Sequence, residues 1–173
     1  MSFSMLKRRT AALLLALAVS TGVAVAVAPV AANAAELKCN SEGTNKKTFN
    51  IPEQLDPTVE ITLCVRKNTA GNWVSASAYV EWTRGPIGII GGFDKFEFNL
   101  RIEKSDVVKA RYGCYPRDAI NSLADGEYLC PSNEFGVTAD GANTWTADAT
   151  VRYNIDGDGL DDFLWDLTGS PQV

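Results

Sequence analysis

The sequence predicts an all-β domain, an antiparallel β-sandwich of the immunoglobulin-like kind, on a chain built for export. Three observations predict it. Apolar and polar residues alternate with period two through most of the chain after residue 57. Turn residues cut these runs at short intervals. All four cysteines lie beyond an N-terminal segment composed like an export signal.

The leader comes first. Lys7, Arg8 and Arg9 form a positive start, and residues 11–28 are apolar apart from Ser20, Thr21 and Gly22. Ala32-Asn33-Ala34 then supplies small residues where a signal peptidase cuts, so residues 1–34 are read as a leader removed before Ala35. A retained anchor is the rival reading, because the apolar run approaches the roughly 20 residues a membrane helix needs. The polar break, Pro29 and the cleavage site favour removal. Residues 35–173 then form one domain of 139 residues, long enough to bury its own core as a monomer.

The strands follow in order. Val59, Ile61, Leu63 and Val65 make the first buried stripe, and Val74, Ala76, Ala78, Val80 and Trp82 the second. Phe96, Phe98, Leu100 and Ile102 make a third, with Glu97, Asn99, Arg101 and Glu103 on the wet side. A weaker strand covers Val107 to Tyr112, and one short helical piece is expected over 117–124. The longest stripe runs from Trp145 to Ile155, and Phe163, Trp165 and Leu167 close the series. Turns are expected at Asn68–Asn72, Gly85–Gly92, Asp125-Gly126, Asp140-Gly141 and Asp156–Gly159. The sum is six to eight short strands, with a small barrel as the alternative closure.

Outside the reducing cytosol the cysteines are expected as bridges, and proximity in the chain favours Cys39–Cys64 and Cys114–Cys130. The chain has no histidine, which removes Ser-His-Asp and Cys-His catalysis and histidine-ligated metals. Bridged cysteines also lose thiolate chemistry. The net charge is −5, and the leader's three positive charges take it to −8 on removal. Nucleic acid and anionic membrane surfaces are therefore disfavoured partners.

Four candidate sites remain. The stretch 154–162 places Asn154, Asp156, Asp158 and Asp162 at alternate positions, with Gly157 and Gly159 letting the backbone wrap; the Leu160 carbonyl completes a possible oxygen shell. This D-x-D-G-D-G-like stretch, continued by Phe163-Leu164-Trp165, resembles the calcium loops of FG-GAP and dockerin-like modules over residues 154–166. The resemblance implies calcium, with no organic cofactor. It departs from an EF-hand, since Trp165 stands where a bidentate Glu belongs and no helices flank the loop. A plain hairpin turn is the competing reading, because Asp-Gly favours one.

The loop Gly85–Gly92 is apolar and glycine-rich, and its Ile87, Ile89 and Ile90 either meet a partner, as a protease inhibitor's loop would, or fold onto the end of the sandwich. Trp73 and Tyr79 share the polar face of one strand and form the candidate platform for a glycan. Glu81, Glu97 and Glu103 are the candidates for carboxylate catalysis of glycoside cleavage, or else ordinary wet-face residues. The balance is an exported, disulfide-stabilised module that binds an extracellular protein or a glycan without catalysis.

Overall fold

A computed structural model describes residues 35–52, 55–84, 92–140 and 144–173. The expected leader (1–34) and residues 85–91, which carry Ile87, Ile89 and Ile90, lie outside the described residues. The chain orders strands β1 (Glu36–Cys39), β2 (Lys46–Thr48), β3 (Thr58–Lys67), β4 (Trp73–Thr83), β5 (Phe93–Lys104) and β6 (Val107–Cys114). Helix α1 (Arg117–Ser122) follows, then β7 (Asp125–Thr138), β8 (Trp145–Ile155) and β9 (Phe163–Asp166). Every strand pairing is antiparallel.

The strands form two sheets. The first runs β1-β3-β4-β7, with β2 also on β3; the second runs β6-β5-β8-β9. Strand β4 pairs with β7 and β5 with β8, while the chain crosses between sheets from β4 to β5 and again from β7 to β8. That interlocking places two consecutive strand pairs as the B–E and C–F pairs of an immunoglobulin-like sandwich are placed. The expected fold class is thus the observed one.

The four long stripes form the core because alternate residues of a strand share a face. Ile61, Leu63 and Val65 of β3 are fully buried, as are Val74, Ala78 and Val80 of β4, Leu100 and Ile102 of β5, and Ala147, Ala149 and Val151 of β8. Each large aliphatic side chain among them contributes about 1.5–3 kcal/mol by leaving water. Phe49, just after β2, joins the two layers: its ring meets Phe93, Phe96, Tyr153 and Trp165 edge to face at 4.9–6.0 Å. Lys47 seals the same edge, its Nζ donating to the Tyr153 hydroxyl at 2.7 Å and lying 4.5 Å over that ring.

Strands β1 and β2 share one edge of β3, and the gap between them is filled by two buried asparagines. The Asn40 side-chain oxygen accepts from the Leu63 N–H. Asn45 Nδ2 donates to the carbonyls of Ile61 (3.2 Å) and Thr168 (2.9 Å), and its Oδ1 accepts from the Thr168 N–H at 2.7 Å. A buried backbone group without a partner costs about 1–3 kcal/mol, so these side chains substitute for a missing piece of strand.

Both expected bridges are present: Cys39–Cys64 joins directly opposed residues of β1 and β3, and Cys114–Cys130 ties β6 of one sheet to β7 of the other. No helix among the described residues is long and apolar enough to cross a membrane.

The sequence reading needs three corrections. Asp125-Gly126 begins strand β7 instead of forming a turn. The whole of β7 was unexpected because Gly126, Pro131 and Gly136 interrupt its pattern; on the edge of a sheet they are tolerated. There the pairing slips, with Ala76 opposite Phe135 and Ala78 opposite Cys130, so residues 131–134 bulge out where proline has no N–H to offer. Helix α1 ends at Ser122 and not at Ala124. Of the expected stripe Phe163, Trp165 and Leu167, only Leu167, just past β9, is buried; Trp165 is half-buried and Phe163 is 37% exposed against the Tyr153 ring.

Candidate functional site

The outer face of the first sheet carries the expected platform residues. Alternation along β4 puts Trp73, Ser75, Ser77, Tyr79 and Glu81 on that face. Trp73 is half-buried, lying so close over Gly136 that a Cβ there would come within 2.6 Å of its Nε1, which donates to Glu134 at 3.0 Å. Tyr79 is 49% exposed. Six residues of strand separate the two rings by about 20 Å, so they cannot hold one sugar between them.

The neighbouring rows are acidic. Glu60 of β3, Glu81 of β4 and Glu127 of β7 stand directly opposite one another across three strands. Lys46 lies 3.5 Å from Glu60, which also accepts the Gly43 N–H. Tyr79, Glu81, Glu127, Thr62 and the Cys39–Cys64 bridge border a depression of about 280 Å³. Glu97 and Glu103 lie on the second sheet, on the opposite side of the molecule from Glu81. They are six residues apart on one strand, about 20 Å, beyond the roughly 5–10 Å that paired glycosidase carboxylates need. The expected trio is therefore dispersed. The carboxylates on adjacent strands are instead Glu60–Glu81 and Glu81–Glu127, the second formed by β7, which the sequence pattern does not reveal.

The 154–162 stretch is the β8–β9 hairpin loop. Gly157 and Gly159 take φ of +75° and +69°, conformations that side chains resist. Several of the loop's oxygens are engaged within the fold. The Leu160 carbonyl accepts from Asn154 Nδ2 at 2.9 Å, and Asp158 Oδ1 accepts from the Leu160 N–H at 2.8 Å. Asp162 is ion-paired to Lys95 and lies 3.9 Å from Arg152. Among the described residues no three His, Cys, Asp or Glu side chains come together to hold a metal. In this arrangement the residues suit a self-closed turn better than a calcium shell.

Among the described residues, a further concave surface lies on the outer face of the second sheet. A cleft of about 410 Å³ is bordered by Asn99 and Arg101 of β5, Arg111 and Gly113 of β6, Thr150 and Arg152 of β8, and by Tyr115 and Leu164. That volume falls within the ~300–1,000 Å³ of small-ligand sites. A second depression of about 280 Å³ adjoins it toward Lys95, Arg117 and Asp118, and the two share Glu97 and Tyr115.

Local sequence explains this groove. Tyr115 is 67% exposed, and its ring lies over Gly113, where a Cβ would meet the tyrosine oxygen at 2.8 Å. Glycine at 113 is what lets the ring lie down. Arg101 anchors the floor: its Nε donates to Glu103 at 2.9 Å, one terminal nitrogen to Thr150 at 2.9 Å and the other to Asp148 at 2.8 Å. Burial by itself pulls the Arg101 guanidinium down, but Asp148 and then Glu103 outweigh it, and its pKa sits above the ordinary arginine value. Arg111 has no ion-pair partner among the described residues, and Arg152 meets only Asp162 at 3.9 Å. The sequence signal for this groove is faint: a lone glycine in strand β6 and an aromatic two residues on.

Comparison with protein families, characterised proteins and solved structures finds no match.

Proposed function

We propose that this chain is an exported binding module and that its ligand surface is the groove on the outer face of the second sheet. The observation that carries the reading is the pair of adjoining depressions divided by an exposed tyrosine ring on a rigid strand face. Export is supported by two bridges among the described residues, since such bonds persist in oxidising compartments. A chain without histidine, its cysteines bridged, lacks the common nucleophile–base pairs.

Affinity electrophoresis through gels containing soluble polysaccharides tests the reading. The domain is retarded in at least one gel, Tyr115→Ala abolishes the retardation, and Tyr79→Ala keeps it. Retardation lost with Tyr79→Ala and kept with Tyr115→Ala moves the site to the first sheet and sinks the proposal.

The opposed Glu81–Glu127 pair favours a second reading, a carboxylate glycoside hydrolase. Release of reducing ends that vanishes in both Glu81→Gln and Glu127→Gln would establish it and displace the binding-only view.

A further inference from the structure

Resting on that reading of the groove, we infer that its ligand is an acidic polysaccharide, bound through carboxylates at Arg111 and Arg152 and by a sugar ring stacked on Tyr115. The chain is acidic, with 21 Asp and Glu against 16 Lys and Arg, three of these in the leader, so cationic side chains are the scarcer resource. Six arginines follow residue 34, and four of them, Arg101, Arg111, Arg117 and Arg152, border the groove. Two of the four are spent internally. Arg101 is held by Glu103 and Asp148, and Arg117 lies 2.7 Å from Asp118. Arg111 and Arg152, the latter held only by Asp162 at 3.9 Å, border the cleft, and a guanidinium fork matches a carboxylate in two parallel hydrogen bonds.

Their placement selects a chain over a single ion. Arg111 stands opposite Arg101, and Arg152 opposite Glu97, four positions further along β5. Two strand spacings across and four residues along put their Cα atoms roughly 16 Å apart. A polymer with a carboxylate on each unit can meet both guanidiniums along that diagonal. Tyr115 stands over Gly113, one pleat beyond Arg111 on the same strand, and offers a ring face to the units between. Exposed Asn99, opposite Gly113, supplies an amide for sugar hydroxyls.

A peptide is the weaker fit. Extended peptides gain affinity by adding a strand to an open sheet edge. The central strand of this groove is β5, which is paired on both sides and has no free backbone groups to lend.

The test measures binding by isothermal calorimetry to three polyuronates, polygalacturonate, alginate and hyaluronate, each beside its carboxyl-reduced neutral form. At least one polyuronate binds, and its neutral form binds tenfold or more weakly. Arg111→Gln and Arg152→Gln each cost about tenfold, while Arg66→Gln on the first sheet costs nothing. Unchanged melting temperature of each variant shows that it folds.

Equal binding of the acidic and neutral forms, still lost in Tyr115→Ala, overturns the anionic class and leaves the groove reading standing. Binding of none of the six polymers overturns the inference, as does tighter binding of polyglutamate than of every polyuronate. Polyuronate binding that ignores both Tyr115→Ala and Arg111→Gln overturns the inference and the groove reading together.

Discussion

The two outer faces of this sandwich arise from the same alternating pattern and handle charge in opposite ways. On the first sheet, like charges are lined up, with Glu60, Glu81 and Glu127 opposed across three strands. On the second, β5 and β8 alternate sign across the ladder, Glu97 facing Arg152 and Arg101 facing Asp148. Opposed opposite charges let side chains settle: Glu103, which pairs with Arg101, is only 9% exposed. In the row of like charges, cross-strand repulsion costs a few tenths to 1 kcal/mol per pair; Glu81 and Glu127 stay exposed, and Glu60 is offset by Lys46. Period two dictates which residues are wet. The partner strand dictates whether a wet charge is free, paired or half-buried, and so which face holds a groove with charge to spare.

The bridges give the largest test of that contrast. Cys39–Cys64 borders the acidic face, whereas Cys114–Cys130 anchors the end of β6 beside Gly113 and Tyr115. Replacing either pair by alanine removes about 3 kcal/mol by the chain-entropy argument, read as a lower denaturation midpoint in urea. Only the Cys114→Ala/Cys130→Ala protein is expected to weaken ligand retention, because it frees the strand that carries the groove's aromatic wall. Equal loss of retention in both would erase the distinction between the faces.

Next in size is the contrast between two ion pairs. Arg101→Ala leaves Glu103 and Asp148 facing each other with little water, and should cost about 2–3 kcal/mol in chemical denaturation. Lys46→Ala, which removes a 55%-exposed ammonium from beside Glu60, should cost well under 1 kcal/mol. Comparable costs would show that the second sheet's network is no more than surface solvation.

The smallest effect carries the opposite sign. Glu81→Gln relieves repulsion from both Glu60 and Glu127 and should stabilise the domain by a few tenths of a kcal/mol, a gain that shrinks in 1 M salt as the charges are screened. Glu97→Gln, which removes the negative charge opposite Arg152 in the ladder, should not stabilise. A salt-independent gain at Glu81 would mean that packing, not charge, is responsible.

Much of the architecture was legible in the chain. The stripes of β3, β4, β5 and β8 were readable because each strand buries one face, and burial demands strict alternation over ten or more residues. Strands β1 and β2 were not, since segments of four and three residues carry too few alternations, and buried Asn40 and Asn45 between them read as loop. Strand β7 hid behind its glycines and Pro131. Among the candidate residues, the shared face of Trp73 and Tyr79 was foreseen. Their separation from each other's reach, and the engagement of Asp158, Leu160 and Asp162 by neighbours, were not, because distances across strands depend on register.

The sequence by itself determined the fold class, the core and the two bridges, because hydrophobic periodicity and cysteine spacing are local properties that the backbone converts directly into buried faces and nearby sulfurs. Only the tertiary structure decided that Tyr115, Arg111 and Arg152, from separate strands and a connection, border one groove, and that Glu81 meets Glu127 while Glu97 faces the other way. Those relations are set by strand order and register, which couple residues tens of positions apart and leave no periodic trace in any one segment.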